Sequence, residues 1–90
     1  MDRPELLAFF EKRGIQTRRI PLAVLEHARQ LIERLEGGES YGKLRVKRMH
    51  YDRCRISIPV GRRWRMLAAD LDGVVRVRCI LSHESYNSQK

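Results

Sequence analysis

The sequence predicts an α+β domain: a helical hairpin on one face of a twisted, mainly antiparallel four-stranded sheet. Three observations predict it. Apolar residues recur at three- and four-residue steps up to Gly37-Gly38. After Tyr41 the period changes to two. An Asp72-Gly73 dipeptide then separates two alternating runs, the strongest short-range signal for a two-residue hairpin.

The chain has 90 residues, enough for one domain (1–90) with one modest core. Pro4 suits a first helical turn, Asp2 an N-cap, and Leu6, Leu7, Phe9 and Phe10 form an apolar stripe that Gly14 ends. Residues 15–20 read as either a loop or a short strand exposing Arg18 and Arg19. Pro21 opens a second helix to residue 36, with Leu25, Ala28, Ile32 and Leu35 on one side. Strands are expected near 43–49, 53–60, 63–71 and 74–81, with Pro59 and Gly61 marking a strand end or bulge.

Alternation assigns the faces. Leu44, Val46, Cys54, Ile56, Ile58, Trp64, Met66, Ala68, Val75, Val77, Cys79 and Leu81 are expected against the helices. Lys43, Arg45, Lys47, Arg53, Arg55, Arg63, Arg65, Arg76 and Arg78 are expected on the opposite, open face. The formal net charge is +8, yet residues 1–40 carry seven basic and seven acidic side chains, and residues 41–82 carry eleven and three. All the excess positive charge thus belongs to the sheet half. So many cations on one face repel each other, and a phosphate polyanion is the ligand that offsets this. RNA is the expected target.

Several classes are excluded. No apolar run approaches the roughly 18 residues of a membrane span, and no secretory signal pattern is present, so a cytoplasmic protein is expected. Cys54 and Cys79 are too few for a zinc module and read as reduced core thiols. His27 has no partner at metal-ligand spacing, and His50 and Tyr51 fall in a turn. No phosphate-binding glycine loop, HExxH or GxSxG occurs. Chemistry can sit in two places. Gly61-Arg62-Arg63-Trp64-Arg65 puts two guanidinium groups toward the open face, with Trp64 inward; these suit phosphate oxygens or a charged phosphoryl transition state, or could pair with Asp70 and Asp72. Ser82-His83-Glu84-Ser85-Tyr86-Asn87 follows the last strand and supplies an imidazole and a phenol beside the basic face.

These elements and motifs, over roughly residues 21–87, resemble the RelE/ParE superfamily of bacterial toxins. Arg55-Ile56-Ser57-Ile58-Pro59-Val60 followed by Trp64-Arg65 is similar to the family's middle-strand run, and His83-Glu84-Ser85-Tyr86-Asn87 to the ending of HigB-like members. The resemblance implies the toxin of a type II toxin–antitoxin pair, and its RelE/HigB-like branch implies a ribosome-dependent mRNA endonuclease. That activity inhibits translation, uses the RNA 2′-hydroxyl as nucleophile and needs no metal or other cofactor. It implies catalytic roles for Arg65, His83 and Tyr86, RNA contacts by Lys43, Arg45, Lys47, Arg53, Arg55, Arg63, Arg76 and Arg78, and as partners mRNA, ribosomal RNA and an acidic or amphipathic antitoxin. Two features depart from the family. The chain begins with a helix where a strand is usual, and Ser57 and Pro59 stand where RelE-like members carry lysines. A ParE-like DNA gyrase inhibitor and a non-catalytic RNA-binding module are the alternative readings.

Overall fold

The computed structural model describes residues 3–83. Three helices, α1 (Arg3–Lys12), α2 (Leu22–Glu36) and α3 (Tyr41–Leu44), precede four strands, β1 (Lys47–Arg48), β2 (Arg55–Val60), β3 (Trp64–Leu71) and β4 (Val74–Ser82). The strands form one antiparallel sheet in the order β1-β2-β3-β4. The helical hairpin on an antiparallel sheet is the architecture expected. No helix among the described residues is long and apolar enough to cross a membrane. Asp2, the expected N-cap, lies outside the described residues.

The α1 helix ends because Gly14 takes φ +70°, which lets Gly14 N–H reach Glu11 O and Ile15 N–H reach Phe10 O, both at 3.0 Å. This Schellman turn folds buried Ile15 back over buried Phe10. Residues 15–20 are a loop, with Arg18 and Arg19 exposed. The α1 helix docks on α2 through Leu6 and Phe10, each about 2 kcal/mol of apolar burial. The Arg13 guanidinium also forks onto Glu36 at 2.9 and 3.0 Å. That pair is partly exposed, so its contribution is below about 1 kcal/mol and burial decides the docking. Leu25, Ala28, Leu31, Ile32 and Leu35 of α2 meet Ile56, Ile58, Val60, Met66, Ala68 and Ile80 of the sheet.

Two expectations about the sheet are corrected. The first strand is not 43–49. Residues 41–44 form a helical turn, closed by Arg45 in the left-handed region at φ 58° with Val46 N–H on Tyr41 O at 3.0 Å. Only Lys47 and Arg48 pair, with Ser57 and Ile56. Extrapolating that register sets Arg45 opposite Pro59, so pairing stops where β2 has no N–H to offer. Leu44 is buried as expected, but it belongs to α3.

The second correction concerns the last strand. Asp72 (φ 55°) and Gly73 (φ 86°) make the predicted tight turn. A bulge between Leu67 and Ala68 then pairs Leu67 with Cys79 but Ala68 with Val77, leaving Arg78 as an extra residue in β4. Alternation restarts one residue out of step. Ile80 enters the core, and Cys79 and Leu81, expected there, share the open face with Leu67 and Arg65. Cys54 is also outside the core, exposed in the turn before β2, where its N–H donates to Asp52 Oδ1. Both cysteines should therefore react with a thiol reagent in the folded protein. Cys54 is expected to label first, and half-buried Cys79 roughly tenfold more slowly, because burial pushes its thiol up against the opposing pull of Arg55 and Arg78. Two thiols protected until denaturant is added would contradict the shifted alternation.

Candidate active site and nucleic-acid interface

Arg65 sits at the second position of β3, opposite Pro59 on one side and Leu81 on the other. Its guanidinium leans along the open face toward β2, and Nε donates to Ser57 Oγ at 2.7 Å. Ser57 has no solvent exposure, although its alternation places it on the open face. The arginine side chain lies across it, so a buried hydroxyl and a half-buried guanidinium hold each other in place. Neither Asp70 nor Asp72 is bonded to Arg65 in the way the sequence left open; Asp70 is committed elsewhere.

The ladder continues one step past β4. His83 N–H donates to Arg63 O at 2.6 Å. This step sets His83 two residues beyond Leu81 on the same side, diagonal to Arg65. The imidazole residue is exposed. Arg63, Trp64, Ser82 and His83 line one depression at this end. The structure thus brings together two of the three residues expected to be catalytic; the third, Tyr86, lies outside the described residues.

The expected RNA-contacting residues divide. Lys47, Arg55, Arg76 and Arg78 are exposed on β1, β2 and β4, with Arg63 in the turn between β2 and β3. Arg55 lies 3.5 Å from Asp52, an exposed pair that contributes little. Lys43 lies in α3, Arg45 is its left-handed cap and Arg53 is in a turn, so these three are exposed but not part of the sheet ladder. The face is also less uniformly basic than alternation alone predicts. Leu67, Ala69, Leu71 and Cys79 form an apolar floor beside Arg55 and Arg78. His27, His50 and Tyr51 are exposed.

Two groups were not singled out by sequence reasoning. Ser57 could have been found: alternation with Arg55 and Pro59 makes it the one hydroxyl in β2 on the arginine's side. The second group is centred on Asp70, whose side chain is only 9% exposed. It accepts hydrogen bonds from Tyr41 Oη at 2.7 Å, Arg48 Nη2 at 3.0 Å and Gly73 N–H at 3.1 Å. It therefore ties α3, β1 and the last hairpin together. The Tyr41 hydrogen bond, chiefly, holds the Asp70 carboxyl below the usual carboxylate range, helped by Arg48 and Gly73 and opposed by burial. Burial, then the bond to Asp70, pushes the Tyr41 phenol up to about 12.

Helical pair, antiparallel sheet and arginine-bearing open face together define a two-layer α+β domain with a cationic sheet face. A family model described as the ParE-like toxin domain matches residues 22–88, and the chain belongs to that family. The α1 helix lies ahead of the matched region. No curated protein and no solved structure matches the chain.

The Asp70 cluster gives stability a two-sided pH dependence. A depressed carboxyl contributes above its ordinary value near 3.9, and that contribution is lost as pH falls below it. A raised phenol contributes fully below about 10, and its contribution is lost as pH rises toward 12. Urea unfolding at pH 7 should show Tyr41→Phe less stable by about 2 kcal/mol, the typical worth of a hydrogen bond to a charged group. Between pH 10 and 12 the gap to wild type should narrow. A pH-independent gap would show that Asp70 and Tyr41 are not coupled.

Proposed function

We propose that this toxin-family domain is a ribosome-dependent mRNA endonuclease. The observation that supports the reading most is Arg65, anchored by Ser57 on the cationic face and diagonal to His83 across the end of the β3–β4 ladder. In the reaction, the RNA 2′-oxygen attacks the adjacent phosphorus as its proton leaves to a base. The bond from phosphorus to the 5′-oxygen breaks, that oxygen takes a proton, and a 2′,3′-cyclic phosphate remains. Arg65 is placed to stabilise charge building on the phosphoryl oxygens. His83 and Tyr86 are assigned the proton transfers. Lys47, Arg55, Arg63, Arg76 and Arg78 hold the RNA backbone, with Lys43, Arg45 and Arg53 as outlying contacts. Ser57 is a positioning residue acting through Arg65.

A cognate antitoxin is the partner this family membership suggests. Its acidic or amphipathic segment would cover the basic face, and the apolar floor beside Arg55 and Arg78 suits such a segment.

Primer extension on a defined message, with and without purified ribosomes, tests the reading. Cuts are expected only with ribosomes. Arg65→Ala should abolish them, His83→Ala should slow them at least about tenfold, and Ser57→Ala should fall between wild type and Arg65→Ala. A message left intact by wild type on ribosomes would overturn the nuclease assignment and turn attention to inhibition of gyrase supercoiling.

A further inference from the structure

We propose that the depression at the end of the β3–β4 ladder is a nucleobase-binding subsite, with Trp64 as its stacking surface. The inference rests on the nuclease reading and adds a specificity element to it.

Trp64 and Ser82 are direct cross-strand partners, and the next residues outward, Arg63 and His83, are joined by the 2.6 Å backbone hydrogen bond. The β3–β4 ladder ends there. Among the described residues, no strand pairing continues beyond it. The depression collects residues of both alternations: Trp64 and Ser82 from one, Arg63 and His83 from the other. Trp64 packs against the core cluster but is not engulfed by it; the indole is half-buried. The residue thus both packs against the core and lines the depression.

The lining fits a base better than other ligand classes. An indole offers a fixed planar surface on which any base can stack. Arg63 supplies an exposed guanidinium for a flanking phosphate. Among the described residues, the lining carries no acidic side chain. Arg65 follows Trp64 directly and points to the opposite face. In the proposed pose a nucleotide sets its phosphate at Arg65 and its base on Trp64, the residue before it. In this arrangement the base beside the scissile phosphate is the one read.

Trp64 is the only tryptophan in the chain, so its emission reports on this site alone. The probe is a 2′-O-methyl trinucleotide, which cannot be cleaved, compared with the same backbone lacking the central base. Binding is followed separately by anisotropy of a fluorescein-labelled copy. The intact oligonucleotide is expected to quench Trp64 emission along the anisotropy isotherm and to bind roughly tenfold more tightly than the abasic one. Trp64→Phe should keep affinity within about threefold, because a ring remains, and Trp64→Leu should lose about tenfold. Oligonucleotide binding without quenching, and equally tight with the abasic backbone, would overturn the subsite and leave the nuclease reading standing. Absence of any RNA binding or cleavage would remove both.

Discussion

One extra residue in β4 decides what each face of the sheet carries. Strand alternation is a strict period of two, so inserting Arg78 moves everything after it to the other side. Before the bulge, Val75 and Val77 pack against the core cluster. After it, Ile80 does so, and Leu81 turns outward to face Arg65. Without the offset, His83 would leave the ladder on the helix side and Arg65 would have no imidazole beside it. The bulge also sets Arg78 and Cys79 together against the apolar floor, which is why the open face is mixed rather than evenly cationic.

The arginines on that face need a rigid platform, and Asp70 helps to provide it. In a sheet half so rich in cations, this one desolvated carboxylate takes hydrogen bonds from a helix, an edge strand and a turn. The Arg48 guanidinium also lies 5.5 Å from the centre of the Tyr41 ring, so the same cation braces both partners. A basic surface assembled this way keeps its excess charge toward solvent. Asp70 is used for structure rather than for neutralising the face, where only Asp52 lies near an arginine, Arg55, among the described residues.

Much of this was legible in the sequence. The α2 stripe, the alternation of β2 and β3 and the Asp72-Gly73 turn are local patterns, and each formed within a residue or two of its expected place. The family resemblance over 21–87 agrees with the family match over 22–88. Arg65 was legible on the open face from the alternation of β3, and His83 was expected near that face only as part of the stretch after the last strand; the bulge is what carries it to the arginine's side. The failures have non-local causes. Residues 41–44 carry apolar positions that fit a helical turn as well as a strand, and the Tyr41–Asp70 bond, between residues far apart in sequence, accompanies the helical choice. Cys79 and Leu81 were misplaced because no composition signal announces a bulge in a strand without glycine. Ser57 looked like a gap in a family pattern until the arginine lying across it showed its use.

The two borders of the sheet are unequal. On one side stand the two cationic residues of β1 and, beyond their reach, Pro59, which cannot donate to a neighbour. On the other, β4 runs for nine residues with no further strand beside it among the described residues. The β4 border therefore offers the longer row of backbone groups, and an added strand has more to pair with there than beside the two residues of β1.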